Sequence, residues 1–392
     1  MKADELRDAI EHAMNDAYAA DGMTLRERFR RTMHYEKLDR LPFFEFGYWA
    51  ETLPAWHEQG LPKEIDGEAR AYAYFGIEDF RHAPLRWGLH PVDKPQVIEE
   101  TDEYVITRGG DGVISQERKT GTHSIPHYID FPVKKREDWR WFKERLNPDD
   151  PARFDFNGKS FKQAVDELNE SPFPISAPIG SLLGVPRGWM GFENYAIATI
   201  AEPDMLAEMM DDIADCVVGV LKKAFAHGLQ ADLGGGWEDI CFNSGPICTP
   251  DFFRREAVPR YKRIISVLNE NGCDIAYTDC DGNINALVQG WLDAGVNTMF
   301  PVEVHGGSDP VELRRRFGSE LRLMGGVDKM VLQADKASIK KELERLKPLV
   351  EEGGFIPHVD HRVQPTVPFD NYLYYLDLKR DMFGAGKRRP MY

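Results

Sequence analysis

The chain has 392 residues, of which 42% are hydrophobic and 29% are charged. This composition is typical of a globular protein with a sizeable core, and the length is long for one average domain. The formal net charge of -16 argues against a nucleic-acid partner, because a phosphate backbone repels an acidic surface.

The sequence also argues against export and against a membrane partner. Residues 1–20 are charged rather than apolar, and no run approaches the roughly 18 apolar residues that a membrane span needs. The 5 cysteines form no C-x-x-C pair, and their odd number and spacing do not suggest a disulfide framework. We therefore expect a reduced, cytoplasmic protein.

The N-terminal region, residues 1–40, is predicted to consist of helices. Thr24 is a suitable N-cap for the second of them, and Glu27 three residues later completes a capping box. The apolar residues Phe43–Phe46 then predict a short strand, and an aromatic-rich loop follows it.

Residues 64–150 are predicted to form an insertion that caps the main fold. Residues 95–119 alternate between polar and apolar side chains, and the sequence Gly-Gly-Asp-Gly at 109–112 is typical of a hairpin turn. This pattern indicates an antiparallel sheet. A polar helix is predicted at 137–146.

From residue 161 onward, apolar strand-like runs alternate with helical segments. Strands are predicted at 174–179, 232–238, 274–280, 298–303, 321–327 and 354–359, and helices at 161–169, 193–200, 203–227, 250–271, 283–294, 309–317, 335–350 and 369–383. This alternation indicates parallel strands with right-handed crossovers, in a barrel or in an open doubly wound sheet. No G-x-G-x-x-G motif or Walker loop is present, which disfavours a nucleotide-binding open sheet.

Reactive side chains follow five of the strand-like runs, at the carboxyl ends where a barrel collects its active site. They are Trp237, Glu238, Asp239, Asp279, Cys280, Glu303, Asp328, Asp360 and His361. Cys280 is suited to bind a soft divalent metal ion, or is a small buried residue under the rim. His361 is a candidate metal ligand, a metal-free general base, a substrate-binding imidazole or a plain surface histidine.

Each of the other strand-end residues also has more than one possible role. Glu238 and Asp239 are adjacent on an extended strand and face opposite ways, so only one of them enters a site. Glu303 and Asp328 bind substrate hydroxyls, orient a histidine or form rim salt bridges. Trp237 walls a substrate pocket or packs in the core.

A dense aromatic group lies near the N-terminus, and it includes Phe46 and Trp49. It is either core and lid or a pocket for a flat substrate, in which Glu45 is a polar anchor.

Several motifs in this order resemble the uroporphyrinogen decarboxylase-like superfamily over nearly the full chain. They are Arg26-Glu27-Arg28-Phe29, Asp39-Arg40-Leu41-Pro42, Ala294-Gly295-Val296-Asn297, Pro301-Val302-Glu303, Gly325-Gly326-Val327-Asp328-Lys329, and Gly353-Gly354-Phe355-Ile356-Pro357 with Asp360-His361. The resemblance implies an α/β fold of the (βα)8 TIM-barrel type, with an N-terminal helical extension and an antiparallel insertion. We predict one such domain over residues 1–392.

The resemblance covers two functional branches. True uroporphyrinogen decarboxylases carry Met-Arg-Gln-Ala-Gly-Arg after the first proline, and those arginines neutralise the carboxylates of the substrate. This chain has Glu45-Phe46-Gly47-Tyr48-Trp49 there, without arginine. A glutamate would repel a polyanionic tetrapyrrole. His361 does match a histidine near the decarboxylase C-terminus.

The other branch contains the cobamide-dependent methyltransferases, some of which bind zinc through His-x-Cys and a distant cysteine. Cys280 matches the first cysteine, Thr278 stands in place of the histidine, and His361 lies near the distant ligand. The resemblance thus implies a mixed zinc site of Cys280, His361 and Glu238, with Asp239 or Asp279 as alternatives to Glu238. In this hypothesis Asp279 and Asp360 orient the ligands.

We therefore predict a metal-assisted methyltransferase that moves a methyl group from a methoxylated small molecule to a corrinoid (cobalamin) carried by a partner protein. Glu238, Cys280 and His361 are the predicted catalytic and zinc-binding residues. The predicted substrate-binding residues are Glu45, Trp49, Trp237, Glu303 and Asp328. The alternatives are a metal-free decarboxylase and a barrel that only binds a ligand, and homodimerisation, which is common in this superfamily, is left open.

Overall fold

The structure of the protein is a computed structural model that describes residues 22–119, 125–155 and 158–384. The first of the predicted N-terminal helices falls on residues that lie outside the described part. The second is confirmed at Leu25–Met33, and the Thr24 side chain accepts a hydrogen bond from the backbone N–H of Glu27, which is one half of the predicted capping box. The Glu27 carboxylate pairs with Arg31.

The described helices and strands follow one another in the predicted alternation. The helices are α1 (Leu25–Met33), α2 (Thr52–His57), α3 (Glu68–Phe75), α4 (Trp139–Glu144), α5 (Phe161–Asn169), α6 (Gly184–Met190), α7 (Phe192–Ala201), α8 (Pro203–Ala226), α9 (Pro250–Phe252), α10 (Val258–Glu270), α11 (Val288–Ala294), α12 (Pro310–Phe317), α13 (Lys329–Gln333), α14 (Lys336–Glu352) and α15 (Phe369–Phe383). The strands are β1 (Arg81–His82), β2 (Gln96–Glu100), β3 (Tyr104–Arg108), β4 (Ile114–Arg118), β5 (His127–Asp130), β6 (Ile175–Gly180), β7 (Leu233–Trp237), β8 (Cys241–Phe242), β9 (Gly245–Pro246), β10 (Ala276–Asp279), β11 (Thr298–Phe300), β12 (Arg322–Val327) and β13 (Phe355–Val359).

The chain divides into two compact units. Unit 1 takes the described residues of Met1–Arg81, Ser171–Pro174 and Thr298–Tyr392, and unit 2 takes those of His82–Glu170 and Ile175–Asn297. A single domain over the whole chain remains a prediction beside this division.

Unit 1 contains a parallel sheet of β11, β12 and β13. Thr298 pairs with Arg322, and five further residue pairs from Leu323–Phe355 to Val327–Val359 join β12 to β13. Every residue of β13 is buried, as expected of a parallel strand that is covered on both faces. Helices α12, α14 and α15 alternate with these strands along the chain.

In unit 2, strand β7 pairs in parallel with both β6 and β10. The long helix α8 packs against this sheet with an apolar face that includes Met209, Ile213, Val217 and Val220 at helical spacing. The predicted insertion is a separate antiparallel sheet in the order β2, β3, β4, β5. The predicted turn joins β3 to β4, where Gly112 N–H donates to Gly109 O at 2.9 Å.

The α/β class and the antiparallel insertion are therefore confirmed, with three local differences. Residues 43–46 form no continuous strand: Phe44 makes an isolated parallel bridge with Glu78, and nearby Tyr48 makes another with Val363. The predicted strand at 298–303 ends at Phe300, because Pro301 has no N–H to donate and Val302 has a φ of 57°. The helix predicted at 283–294 begins only at Val288.

None of the helices in the described residues combines the length and the apolar character that a membrane crossing requires. All five cysteines are free thiols, and all are buried.

Candidate active site

The predicted residues of unit 1 lie at the edge of its parallel sheet where the strands end. Because β11, β12 and β13 run in parallel, their carboxyl ends share one edge. Glu303 follows β11, Asp328 follows β12, and Asp360 with His361 follows β13. The structure therefore brings this part of the predicted set to one rim.

Asp360 is fully buried and joins two loops of that rim. Its Oδ2 accepts a hydrogen bond from Val304 N–H at 2.7 Å, and its Oδ1 accepts one from Lys329 N–H at 2.9 Å. Burial raises the pKa of Asp360 to about 7, although the two N–H groups and the Lys329 charge act in the opposite direction. The carboxyl group thus holds the loops after β11 and β12 in place.

The other two acids of the rim also have protein partners. Glu303 forms a close ion pair with the ammonium group of Lys329. Asp328 accepts from Met330 N–H at 2.8 Å, which caps α13, and lies 3.1 Å from Nε2 of the exposed His305. Rim salt bridges are among the roles that the sequence left open, and the substrate-binding role of Glu303 and Asp328 remains a prediction.

Three half-buried rings stand beside the end of β13, and we call Phe46, Trp49 and His361 the aromatic cluster. The His361 ring stacks on Trp49 with centroids 5.4 Å apart and an interplanar angle of 12°. Phe46 meets His361 edge-on at 5.9 Å. The guanidinium carbon of Arg362 lies 5.8 Å from the centre of the Phe46 ring. The cluster presents flat apolar surfaces next to a cation.

The indole nitrogen of Trp49 is a second polar feature of the cluster. Its Nε1 atom is buried and has no hydrogen-bond acceptor among the described residues. A buried N–H without an acceptor costs about 1–3 kcal/mol. A ligand that places an oxygen there would recover that cost.

Glu45 is buried within unit 1, and its predicted role as a polar anchor for substrate stays a prediction. Its Oε1 lies 2.7 Å from the ammonium group of Lys379 and accepts from Tyr375 O–H at 2.9 Å, and both side chains of the ion pair are fully buried. Its Oε2 accepts from Val359 N–H at 3.3 Å. These contacts give Glu45 a role in positioning the segment 43–48 against β13 and α15.

In unit 2, Glu238 is fully buried and its carboxylate serves the loop that enters α6. It accepts hydrogen bonds from the N–H groups of Leu182, Leu183 and Gly184 at 2.6–2.9 Å, from Ser181 Oγ at 3.2 Å and from the hydroxyl of Tyr261. Burial raises the pKa of Glu238, and these hydrogen bonds oppose that shift. Both carboxylate oxygens are therefore already occupied by protein donors.

The neighbours of Glu238 lie at the end of β7 and just beyond it. The Trp237 ring is half-buried and lies against Gly184. A Cβ atom added to Gly184 would stand 2.7 Å from this ring. Asp239 leaves the strand with a φ of 46°, and Asp279 pairs with Trp237 in the register of β10 with β7. Trp237 as a pocket wall remains a prediction.

Cys280 is buried beside a second thiol of unit 2. A side-chain hydrogen bond links it to Cys241, and burial raises the pKa of Cys280 well above its ordinary value, with the Cys241 contact acting in the same direction. The turn after Cys280 contacts β8, the strand that contains Cys241, because Asn283 N–H donates to Phe242 O at 2.9 Å.

Two of the predicted zinc ligands, Glu238 and Cys280, have protein partners within unit 2. Throughout residues 22–119, 125–155 and 158–384, no group of three or more His, Cys, Asp or Glu side chains is placed to hold a metal ion. Glu238 is saturated by protein donors, and Thr278, in the position of a zinc-binding histidine, is buried. Zinc therefore remains a prediction from the resemblance, and no chemical step below depends on it.

Sequence reasoning missed several residues that the structure places at these sites. Lys379 neutralises Glu45, Lys329 pairs with Glu303, and Tyr261 binds Glu238. Arg362 carried the clearest signal, since it directly follows His361, but its contact with Phe46 joins residues more than three hundred positions apart.

Comparison with known proteins identifies relatives of this chain. The family model described as Uroporphyrinogen decarboxylase (URO-D) matches residues 115–382, a range that does not include the segment 43–49. A uroporphyrinogen decarboxylase from Prochlorococcus marinus (strain MIT 9312) is 20% identical over 254 residues, which are 62% of this chain and 68% of that protein.

A methyltransferase from Methanosarcina mazei has a similar solved structure, with a TM-score of 0.57 and 15% sequence identity over 92% of this chain and 99% of that chain. At this identity the likeness concerns the fold alone. Together with the family match, it confirms the (βα)8 TIM-barrel class that the sequence predicted.

The internal role of Glu238 predicts a large loss of stability in Glu238→Gln. The carboxylate now accepts hydrogen bonds from backbone N–H groups, and the NH₂ group of the amide cannot accept them. The free energy of unfolding should therefore fall by about 2–4 kcal/mol. Chemical denaturation of the wild type and the variant measures this difference.

The exposed residue Glu193 on α7 provides the control, and Glu193→Gln should change the stability by less than about 0.5 kcal/mol. Chemical denaturation of the wild type in the presence of a strong chelator distinguishes hydrogen bonding by Glu238 from metal binding. A loss of stability on chelation that matches the loss in Glu238→Gln would mean that Glu238 acts through a metal ion.

The raised pKa of Asp360 predicts a specific pH dependence of stability. The native state holds the proton more tightly than the unfolded chain, so this contribution is fully present below pH 3.8 and is lost as pH rises to about 7. Over that window the unfolding free energy of the wild type should fall, relative to Asp360→Asn, by up to about 1.4 kcal/mol per pH unit.

Denaturant titrations at half-unit steps from pH 4 to pH 8 measure the difference between the two proteins. The exposed Asp381 supplies the control substitution, Asp381→Asn, whose curve should run parallel to that of the wild type. Parallel curves for the wild type and Asp360→Asn would contradict the assignment.

Proposed function

The chain belongs to the uroporphyrinogen decarboxylase family, and from that premise we propose that it is a methyltransferase. The proposed reaction moves a methyl group from a methoxylated small molecule to a corrinoid that a separate small protein carries. The observation that carries the proposal is the aromatic cluster of Phe46, Trp49 and His361. Phe46 and Trp49 of this cluster lie in the segment where, by the resemblance, true decarboxylases have arginines.

The charge of this region favours a substrate with few carboxylates. Residues 43–49 include no arginine, and the charge of Glu45 is offset by its ion pair with Lys379. A polyanionic tetrapyrrole needs several cations to offset the loss of water around its carboxylates. Flat, half-buried rings are better suited to the face of a methoxylated ring or a similar apolar group.

The chemical difficulty of the reaction lies in the leaving group. As the nucleophile of the acceptor attacks the methyl carbon, the carbon–oxygen bond breaks and negative charge develops on the oxygen. A proton delivered to that oxygen removes the charge and releases an alcohol or a phenol. His361 is the proposed donor of this proton, because its ring is half-buried in the cluster and stacked on Trp49.

The substrate would bind by its ring and its oxygen atoms. Phe46 and Trp49 offer the flat surfaces, and the unpartnered N–H of Trp49 offers a donor for a substrate oxygen. The solved methyltransferase supports the proposal through its shared fold, and the activity in its name belongs to that protein.

Decarboxylation is the second candidate, because the curated relative described above is a uroporphyrinogen decarboxylase. His361 matches a histidine of that branch, so the two functions share one candidate residue. They differ in the substrate, since the decarboxylase substrate is a tetrapyrrole with many carboxylates.

Methylation of free cob(I)alamin by a panel of methoxylated aromatic and aliphatic compounds tests the proposal. We expect methyl transfer by the wild type. In His361→Ala the rate should fall by at least about 100-fold, which is the usual contribution of a general acid. His34→Ala, which removes an exposed histidine of unit 1, should match the wild type. The rate of methyl transfer is measured from the loss of cob(I)alamin absorbance.

The same preparations are assayed with uroporphyrinogen. Turnover of uroporphyrinogen, together with an absence of methyl transfer across the panel, would contradict the proposal and favour the decarboxylase. Equal methyl transfer by His361→Ala and the wild type would refute the role given to His361.

A further inference from the structure

Two thiols of unit 2 lie together where the chain continues past two neighbouring strands. Strands β7 and β10 are parallel, and the last residue pair in their register is Trp237 with Asp279. Beyond that pair the two segments stay side by side, because Glu238 N–H donates to Asp279 O at 2.8 Å. Cys241 lies on the first of these segments and Cys280 on the second.

The two segments are in direct contact at the level of the thiols. The Cys280 thiol has a side-chain hydrogen bond with Cys241 and a further one with the backbone of Ile240. A Cβ atom added to Gly282 would stand 2.9 Å from Cys241 O, so the backbones also approach closely. A disulfide joins residues whose Cα atoms are about 4.4–6.8 Å apart, and thiols already in contact need little backbone movement to reach that geometry.

The two thiols differ in their access to solvent. Cys280 is 1% exposed, whereas Cys241 is 7% exposed and begins the hairpin of β8 and β9. This hairpin consists of two residue pairs, Cys241 with Pro246 and Phe242 with Gly245, and the Phe242 side chain is 46% exposed. A ladder of this length opens at a low cost in free energy. A small solute therefore reaches Cys241 before it reaches Cys280.

We propose that Cys241 and Cys280 form a covalent modification site, at which a hydroperoxide joins the two thiols in an intramolecular disulfide. The cross-link ties the hairpin of β8 and β9 to the turn after β10. Because the cross-link restricts the unfolded chain, the oxidised protein is the more stable form. The inference goes beyond the proposed function and does not depend on it.

The reaction takes place in two steps. The Cys241 sulfur attacks one peroxide oxygen, so that a sulfur–oxygen bond forms, the oxygen–oxygen bond breaks, and the other oxygen leaves in water or an alcohol with the Cys241 proton. The Cys280 sulfur then attacks the sulfur of this sulfenic acid. The sulfur–sulfur bond forms, the sulfur–oxygen bond breaks, and water leaves with the Cys280 proton. The two sulfurs lose two electrons, which reduce the peroxide, and a dithiol reverses the oxidation by exchange.

Treatment of the reduced full chain with hydrogen peroxide tests the inference. Remaining thiols are alkylated in denaturant, and the peptides are identified by mass spectrometry before and after reduction with dithiothreitol. We expect a linked peptide of Cys241 and Cys280 that dithiothreitol separates, and a higher midpoint of thermal unfolding for the oxidised protein. Both thiols should be lost at least about tenfold faster than that of Cys216, whose pKa burial raises to about 11 and which donates to Trp87 O.

Two variants make the result specific. In Cys280→Ser the sulfenic acid at Cys241 lacks its resolving thiol, so it should accumulate and react with dimedone far more than in the wild type. Cys248→Ser removes the buried thiol that follows β9, and it should form the linked peptide like the wild type. Thermal unfolding of each variant establishes that it is folded, and the peptide map of the wild type decides the pairing without either variant.

Three results in the wild type would overturn the inference. The first is survival of the Cys241 and Cys280 thiols to the same extent as that of Cys216. The second is a link from Cys241 to Cys248 or to a second chain in place of the link to Cys280. The third is oxidation of Cys241 to a sulfinic acid while Cys280 remains a free thiol. Methyl transfer plays no part in these measurements, so the failure of either proposal leaves the other intact.

Discussion

The buried ion pair between Glu45 and Lys379 fixes the segment on which the candidate site depends. Residues 43–48 lack a continuous ladder of hydrogen bonds and make only isolated bridges, so their place is set largely by side chains. Lys379 reaches Phe44 O at 2.8 Å as well as Glu45, and Val359 N–H donates to the same carboxylate. Because Phe46 and Trp49 belong to the same stretch, this pair brings them beside His361. Burial lowers the pKa of Lys379, and the Glu45 charge opposes that shift.

A common theme in both units is that buried acids serve as anchors for backbone rather than as free ligands. Asp360 holds two loops of unit 1, and Glu238 holds the entry to α6 in unit 2. Acids used in this way have their oxygens occupied by protein donors. The chemistry of the proposed methyl transfer consequently falls on the aromatic cluster and on His361.

The sequence predicted the parts of this protein that local pattern controls. Apolar runs such as residues 174–179 became parallel strands because both faces of such strands are buried, and Thr24 capped α1 through contacts within one turn. The partners of the buried acids could not be predicted, because they are distant in sequence: 334 residues separate Glu45 from Lys379, and 57 separate Ser181 from Glu238. The apolar runs located the strand ends, apart from that of β11, which ends at Phe300. The family resemblance assigned ligand roles without knowledge of these contacts.

A double-mutant cycle on the Glu45–Lys379 pair tests most directly whether this interaction supports the site. The unfolding free energies of the wild type, Glu45→Gln, Lys379→Met and the double variant are measured by denaturation, with Asp370→Asn as a control for the exposed pair with Lys336. Each single substitution should cost about 3–5 kcal/mol by leaving one buried partner uncompensated, and the double variant should lose clearly less than the sum. Single losses below about 1 kcal/mol, or losses that simply add, would contradict the account.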